Sequence, residues 1–354
     1  MVLGSVDPTP LFSPLERAAG AVGRLAQATA VTPVLAAWLH RQRIEAVAEI
    51  AGIQGRRVDP NRLRTLLAQV PVRAMRDWGA TMLALDIMRQ MLAGTDAPTG
   101  TDDALAHMET AHATAGQAVL IACGLGFFTY LEAGGDRSSA CLAVSRFLAA
   151  QEMTPLPLPC LNGAEAIRRA TPGGVWLVDF LDGLAQQAER GEESLIALLH
   201  RWRGWRRRVG DRRRDARIRR AIDAVAAEGV IGPARLAARL RCATSAATDL
   251  LEELQRLEIT VEITRRRTHR VFVAEDLAPM LGEVAPQPRH PLPERAPALA
   301  AVPTTPAPIP EPDQWVEPAE GVDDALVALE RIMKRQAPLL ARYDGRDGKP
   351  DGEG

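Results

Sequence analysis

Apolar residues recur every three or four positions through most of the first two hundred residues, which is the spacing of amphipathic helices. In the first stripe, Leu15, Val22 and Leu25 share one face. Three of the predicted helices span residues 11–28, 33–50 and 78–92, and Asp59-Pro60 begins another between the last two. After a predicted loop at 94–101, Asp102 is expected to open a further helix, which merges with the apolar segment 118–131. With only 2 tyrosines and 6 phenylalanines, the chain is predicted to be mainly α.

The pattern changes between residues 231 and 273. Gly232-Pro233 opens a short helical stripe, residues 241–243 interrupt it, and a longer stripe runs from Ala247 to Leu257. From Thr260 the apolar period becomes two, and it continues at residues 271–273 after a basic run. This order predicts two helices joined by a tight turn and then two strands with a cationic tip, which is a winged helix-turn-helix.

The sequence of this segment, ARLAARLRCATSAATDLLEELQRLEITVEITRRRTHRVFVAEDL, resembles the winged helix-turn-helix domains of bacterial regulators. It departs from them at two positions. Arg241 stands where glycine usually makes the turn, and Ala243 stands where serine usually caps the second helix, so Thr244 or Ser245 is expected to cap instead.

Cations on several elements of this segment predict contacts with DNA phosphates. The outward face of the second helix carries Thr244, Ser245, Thr248 and Asp249 without arginine or lysine, so base recognition is expected to be weak or narrow. The alternative is a winged helix that serves only packing or dimerisation. The predicted DNA-binding residues are Arg212, Arg213, Arg214, Arg235, Arg239, Arg241, Thr244, Ser245, Thr248, Arg265, Arg266, Arg267, His269 and Arg270.

The stretch from His200 to Arg220 is the most basic part of the chain. It holds eleven arginines against two aspartates, a surplus of nine positive charges that exceeds what a solvated helical face requires. We therefore expect phosphate contact here, whereas Trp202 and Trp205 in the same run are expected to pack on the rest of the protein.

Composition places this basic run in an otherwise balanced chain. The 354 residues are 47% hydrophobic and 25% charged with a net charge of −1, which predicts two or three globular domains. The apolar run 118–128 is too short to span a bilayer, and no signal peptide is recognisable, so we expect a cytoplasmic protein without membrane contact. The four cysteines, Cys123, Cys141, Cys160 and Cys242, are expected to be reduced.

A glycine-rich turn at residues 131–136 leads directly into another helix. Backbone N–H groups at a helix start can hold an anion, so Gly134, Gly135 and Arg137 form a possible phosphate loop. Most glycine turns before helices are only turns, and this alternative stays open.

Around this turn the chain resembles the Fic/Doc family, whose signature is H-P-F-x-x-G-N-G-R followed by a helix. Residues 129–137 occupy the signature and retain Gly134 and Arg137. The resemblance continues in RIEAVAEIAGIQG, which is similar to the inhibitory helix of the family, and in FLAAQEMTPLPLPCLNG and GGVWLVDFLDGLAQQAERGEESLIALL. It covers roughly residues 11–200, and the whole chain resembles a bacterial, often plasmid-borne family with a degenerate Fic-like body and a C-terminal helix-turn-helix.

The departures from the signature imply a body without catalysis. Thr129 replaces the signature histidine that acts as general base, Ala133 replaces the acid that holds magnesium, and Gly135 replaces the asparagine. Gln54 and Ile50 stand at the glutamate and serine of the inhibitory motif. Should the chain transfer nucleotides nonetheless, His107 or His112 would be the next candidates for the base.

The ends of the chain differ in composition from the rest. Beyond Leu281, proline and alanine dominate, and an amphipathic stripe at Asp323–Gln336 follows as a possible dimer or partner contact. The predicted organisation is a disordered N-terminus (1–10), a Fic-like helical bundle (11–200), a basic helix with a small α+β winged helix-turn-helix (201–281), a Pro/Ala-rich linker (282–320), an amphipathic helix (321–342) and a disordered tail (343–354).

These patterns favour a double-stranded-DNA-binding protein, a transcriptional or plasmid-maintenance regulator that uses no cofactor or metal and has no catalytic residues. Two alternatives remain open: a divergent Fic-type nucleotidyl or phosphoryl transferase, or a nucleotide-binding protein, acting through the glycine loop, and a scaffold that only holds partner proteins.

Overall fold

The computed structural model describes residues 9–68, 78–92, 99–115, 118–170, 175–210, 216–264 and 270–281. The helices are Thr9–Val31 (α1), Leu35–Ile53 (α2), Pro60–Leu67 (α3), Trp78–Leu92 (α4), Thr99–Ala115 (α5), Val119–Glu132 (α6), Arg137–Ala150 (α7), Ala164–Arg169 (α8), Trp176–Val209 (α9), Ala216–Glu228 (α10), Pro233–Leu240 (α11), Thr244–Arg256 (α12) and Ala278–Leu281 (α13). The strands are Val230–Ile231 (β1), Thr260–Glu262 (β2) and Phe272–Ala274 (β3). The prediction of a mainly α protein with a small sheet is confirmed.

Helix α9 is the longest described element and connects the two predicted domains. It has 34 residues and is therefore about 50 Å long. Along its first half it packs against α1, where Leu25 is buried beside Gly191 and Arg17 pairs with Glu189 at 2.7 Å. Near its end Trp205 is fully buried. The predicted domain boundary between residues 200 and 201 falls inside this helix.

Of two predicted helix starts, one is confirmed and the other is wrong. The Asp59-Pro60 cap is confirmed, because the Asp59 carboxylate accepts a hydrogen bond from the Asn61 N–H at 2.9 Å at the start of α3. The prediction that Asp102 opens a helix is wrong, since α5 begins at Thr99. The predicted N-terminal disorder through residue 10 also reaches too far, because α1 begins at Thr9.

The predicted merger of residues 102–131 into one helix is wrong. Helix α5 ends at Ala115, α6 begins at Val119, and the two helices pack against each other. A glycine permits the close contact, because a Cβ on Gly126 would lie 2.6 Å from the backbone nitrogen of Met108. The available signal for the break was the stretch 112–117, which holds no large apolar side chain.

The sheet has the strand order β1-β3-β2, with both pairs antiparallel. The strand β3 lies in the middle, where Val273 pairs with Val230 on one side and with Val261 on the other. The two strands predicted from the period of two are present, whereas β1 was not predicted because two residues are too few to establish a period.

The helical body shares one hydrophobic core with residues 230–264 and 270–281, the part predicted to be a winged helix-turn-helix and named the winged segment for that prediction. Buried side chains of both regions, such as Leu25 in α1 and Phe272 in β3, belong to the same cluster. Polar contacts cross the same junction, since Arg41 pairs with Asp276 at 2.6 Å and the Trp205 indole donates to Glu275 at 2.9 Å.

The predicted linker 282–320, amphipathic helix 321–342 and tail 343–354 lie outside the described residues. Within the described ranges, no helix combines the length and the apolar character needed to cross a lipid bilayer. Cys123, Cys141 and Cys160 are buried, Cys242 is half-buried, and none of the four forms a disulfide.

Candidate nucleic-acid interface

The turn between α11 and α12 depends on an unusual backbone conformation at Arg241. This residue has φ 52° and ψ 53°, the left-handed region that side chains other than glycine seldom adopt. The turn closes on the end of α11, because the Cys242 N–H donates to the Ala237 carbonyl at 3.0 Å. The Arg241 side chain is exposed. A residue that replaces the usual glycine therefore adds an outward positive charge beside α12.

The first turn of α12 is exposed and has no side-chain cap. Ala243 is the N-cap residue, and no side chain accepts a hydrogen bond from the first N–H groups, so the predicted capping by Thr244 or Ser245 is wrong. An alanine at this position has no oxygen with which to cap. The start of this 13-residue helix, with its partial positive charge, faces outward.

The outward face of α12 is polar but not cationic. Thr244, Ser245 and Asp249 are exposed, whereas Thr248 is half-buried and its hydroxyl donates to the Thr244 carbonyl at 2.9 Å. The helix carries three acidic residues, Asp249, Glu252 and Glu253, and one basic residue, Arg256, which gives it two excess negative charges. This face therefore offers few groups for strong base contacts.

Three of the predicted DNA-contacting arginines are instead paired inside the protein. Arg235 and Arg239 lie 3.2 and 2.7 Å from Glu228, whose side chain is only 5% exposed. Arg270 pairs with Glu252 and Glu262 and lies 4.9 Å over the Phe272 ring; its hydrogen bond with Glu262 raises its pKa. Each of these guanidinium groups is thus already engaged by a carboxylate, with Glu228 shared by Arg235 and Arg239, and as DNA contacts the three residues stay predictions.

A different set of arginines is exposed in the same region. Each of them extends from α9, α10, α12 or the α11–α12 turn, and none has an ion-pair or hydrogen-bond partner among the described residues. This set, which we call the exposed arginines, consists of Arg203, Arg207, Arg217, Arg220, Arg241 and Arg256. Sequence analysis had nominated Arg241 individually and four others only as members of the basic run. Arg256 was not predicted, although a basic residue at the end of the predicted second helix could have indicated it.

The end of α9 anchors the basic run against the winged segment. Arg208 donates to the Leu257 and Glu258 carbonyls at 3.2 and 2.8 Å, and so lies at the C-terminal end of α12. Arg206 pairs with Asp223 at 3.0 Å. The predicted packing of both tryptophans is confirmed, since Trp205 is buried and the Trp202 indole donates to Asp223 at 2.8 Å.

The remaining predicted DNA contacts, Arg212, Arg213, Arg214, Arg265, Arg266, Arg267 and His269, lie outside the described residues. They stay predictions. The described parts of the interface are thus the α11–α12 turn, the exposed face of α12 and the arginines of α9 and α10.

Side chains of the protein itself form hydrogen bonds at the glycine turn before α7. The Asp136 carboxylate accepts from the Ser139 N–H at 2.8 Å and thereby occupies the position that a bound anion would take. Gln54 donates to Asp136 and Ser138, and Arg137 donates to the Ile53 carbonyl at 3.1 Å. In the possible phosphate loop of Gly134, Gly135 and Arg137, hydrogen-bonding groups that could hold a phosphate are therefore already used within the protein.

Of the positions predicted to match the Fic signature, Gly135 has no room for a side chain, whereas Thr129 and Ala133 are exposed. Gly135 lies against the Tyr130 ring, so a side chain there would displace Tyr130. The hydroxyl of Thr129, the residue predicted to replace the signature histidine, lies 3.3 Å from Nδ1 of His107. His112 instead packs edge-on against Phe147, with ring centroids 6.2 Å apart. Of the two upstream histidines, His107 is thus the one close to Thr129.

A scan against protein-family models finds no match to the chain, and a search of curated proteins finds no similar protein.

Proposed function

We propose that this chain is a DNA-binding protein, a transcriptional or plasmid-maintenance regulator, in which a winged helix-turn-helix holds duplex DNA by its phosphates and a Fic-like body is catalytically inactive. The observation that carries the proposal is the exposed, uncapped start of α12 with Arg241 beside it. Free N–H groups and the partial positive charge of a helix start bind phosphate, and an arginine in the preceding turn adds a full charge.

The exposed arginines supply further phosphate contacts. Arg241 precedes α12 and Arg256 lies in its last turn, so positive charges stand at both ends of this helix, about 20 Å apart by the helical rise. Arg207 is next to Arg208, which contacts the same end of α12 as Arg256. Arginines without internal partners can turn to phosphates freely, whereas Arg235, Arg239 and Arg270 already pair with carboxylates.

Sequence preference is proposed to be weak. The available side chains at the start of α12 are Thr244, Ser245 and Asp249, none of which forms the two-pronged contact that arginine makes with guanine. Asp249 and Glu253 would repel nearby phosphates electrostatically. Affinity for DNA therefore requires the arginine contacts. Binding should thus depend on salt more than on sequence.

The body is proposed to lack transferase activity because Thr129 offers no base near neutral pH and Ala133 offers no metal ligand. The closed glycine turn supports this. Incubation of the full chain with magnesium and radioactive nucleotide tests it separately. Labelled protein would make the transferase alternative the primary one, with His107 as the candidate base because of its contact with Thr129.

Fluorescence anisotropy of a labelled duplex with the full chain tests DNA binding. If about five phosphates are contacted, log K should fall against log salt with a slope near −4.5, from roughly 0.9 per contact. The variants Arg241→Gln and Arg207→Gln should each reduce the slope by about 1 and weaken all sequences alike. The matched control is Arg24→Gln, which removes an exposed arginine of α1 that pairs with Glu192.

Two results would count against DNA binding: no retention of duplex at low salt, or an equal loss of affinity in Arg24→Gln and Arg241→Gln. The predicted wing is tested in the same way, because replacement of Arg265, Arg266 and Arg267 by alanine should weaken binding to every sequence. Substitutions of Thr244 or Ser245 should instead change the preference among sequences.

A further inference from the structure

Helix α6 presents an apolar stripe that the rest of the described protein leaves partly open. Residues 119–128 are all apolar or glycine, so the helix is apolar on every side. A helix of this kind is normally buried all round. Ile121, Leu125 and Phe128, whose spacing places them on one face of α6, are nevertheless only half-buried. This face therefore lacks a full cover among the described residues.

Two neighbouring helices border the stripe. On one side the Trp176 ring at the start of α9 lies against Phe128, with ring centroids 5.7 Å apart, and Val175 directly before it is 52% exposed. On the other side α5 packs along α6, where His107 Nδ1 lies 3.3 Å from the Thr129 hydroxyl. The surface between these borders, which we call the α6 face, consists of Ile121, Leu125, Phe128 and Trp176.

One end of the α6 face carries negative charge. Glu132 stands one turn beyond Phe128 on the same side of α6. Asp103 stands one turn before His107 on α5, and the contact of His107 with Thr129 places this aspartate near the same end of α6. Two carboxylates therefore lie where the apolar stripe ends.

These carboxylates are available to cations. Both are exposed, and neither has an ion-pair or hydrogen-bond partner among the described residues. Arg137, the arginine nearest to Glu132 in the sequence, instead donates to the Ile53 carbonyl at 3.1 Å. An apolar stripe with an acidic end favours a binding partner whose apolar side chains stand next to cations.

Residues 323–336 of the same chain match this pattern. They lie outside the described residues, and their sequence predicts an amphipathic helix. Its apolar stripe extends from Leu326 to Met333, about 10 Å of helical rise, which equals the distance from Ile121 to Phe128 along α6. All three acidic residues of the segment precede its three cations, which are Arg331, Lys334 and Arg335. The spacing and the charge of the segment are thus complementary to the α6 face.

The chain between the described residues and this segment is long enough to reach the α6 face. Residues 282–322 can span at most about 140 Å by covalent geometry, whereas α9, the longest described helix, is about 50 Å long. Every part of the described surface is therefore within reach of the segment. The match in spacing and charge is what selects the α6 face.

We propose that residues 323–336 bind the α6 face of their own chain as an amphipathic helix. The apolar side chains from Leu326 to Met333 cover the half-buried side chains of α6. The segment runs parallel to α6, because this direction brings its cations to the acidic end of the face, with Lys334 next to Glu132. The contact lies within one chain, and the inference does not depend on DNA binding.

Zero-length crosslinking of the full chain tests this contact, because the sequence holds only two lysines, Lys334 and Lys349. A carbodiimide joins a lysine amine to a carboxylate that it touches, and peptide mass spectrometry identifies the pair. Lys334 is expected to be joined to Glu132 or Asp103, whereas Lys349, which lies beyond the segment, is not. An equal mixture of unlabelled and isotope-labelled chains shows whether the two joined peptides come from one molecule.

The first variant changes only the segment and none of the described residues. Leu326→Asp with Met333→Asp should lower the yield of the Lys334 crosslink at least about fivefold, because charged side chains do not bind an apolar stripe. Leu125→Gln, in α6 itself, should act in the same direction, with circular dichroism as the check on folding. The control Ile196→Gln changes an apolar residue of α9 that is 45% exposed, and it should leave the yield within about twofold of the unmodified chain.

Three results would overturn the proposal. The first is the absence of a crosslink from Lys334 to either carboxylate. The second is a crosslink that joins labelled to unlabelled chains, since a second copy would then cover the α6 face. The third is a yield that the segment variant or Leu125→Gln leaves unchanged, or that Ile196→Gln lowers as much as they do.

Discussion

Arg41 Nη1 and Asp276 Oδ2 lie 2.6 Å apart, and their side chains are only 10% and 4% exposed. This ion pair joins α2 of the helical body to the segment that follows β3, although the two residues are 235 positions apart. Arg41 also donates to the Ala226 carbonyl in α10 at 2.7 Å. One buried guanidinium thus connects the body, the helix before the winged segment and the end of its sheet.

Removal of one partner of this pair should destabilise the protein strongly. Asp276→Leu should lower the free energy of unfolding by about 3–5 kcal/mol, because Arg41 is then buried without a counterion. Arg41→Met should cost less, because Arg201 still lies 3.5 Å from Asp276. The double variant should lose clearly less than the sum of the two single losses. Urea unfolding followed by tryptophan fluorescence measures all three. The exposed pair Arg24–Glu192 serves as comparison, with a coupling of about 1 kcal/mol at most; an additive Arg41–Asp276 cycle would contradict the prediction.

Acidification should destabilise the protein through His40. This histidine is buried, and burial, with further contributions from Arg43, Arg239, Arg235 and Arg64, lowers its pKa to about 3. In the unfolded chain its pKa is near 6.5, so the unfolded state binds a proton that the folded state does not. The stability contributed by neutral His40 is complete above about pH 6.5 and is lost as the pH falls towards 3.

The measurement is the free energy of unfolding at pH 7.5 and pH 5.5. For the unmodified chain, His40 should account for a loss of roughly 1.4 kcal/mol between these values. His40→Gln should remove this part of the pH dependence, whatever its effect on stability at pH 7.5. An unchanged difference between the two pH values in His40→Gln would refute the assignment to this residue.

Two glycine-to-alanine substitutions should have opposite effects on stability. Gly126→Ala places a methyl group against the Met108 backbone, which cannot move without a shift of α5, and should cost about 1–3 kcal/mol. Gly23→Ala adds a methyl group on an exposed position of α1 where nothing lies within 4 Å, and should stabilise by about 0.5–1 kcal/mol. Thermal unfolding distinguishes them, and equal effects would show that the α5–α6 contact is looser than described.

The sequence predicted local features well where one short stretch determines them. The stripes at 233–240 and 247–257 correspond to α11 and α12, and the Asp59 cap is a contact between residues two positions apart. The left-handed conformation of Arg241 agrees with the glycine that usually occupies that turn. These features depend on propensity and periodicity, which a single sequence contains.

Features that depend on distant residues were not predictable in the same way. Arg235 and Arg239 look like surface cations in the sequence, and only the fold shows that both pair with Glu228. The contact between α2 and α9 is equally remote in sequence, since Trp38 and Ser194 are 156 positions apart. The separation of α5 from α6, by contrast, had a local signal, since residues 112–117 hold no large apolar side chain.

The number of residues in helix α9 is constrained, because side chains near both of its ends are buried. Trp205 is buried at one end and Leu184 at the other, so both must keep their direction around the helix axis. One inserted residue between them would turn Trp205 by about 100° and move it 1.5 Å along the axis, away from Glu275. Insertions or deletions in this stretch are therefore tolerable only in steps of about seven residues, two full turns, and even these would shift the winged segment by about 10 Å relative to the Arg41 contact.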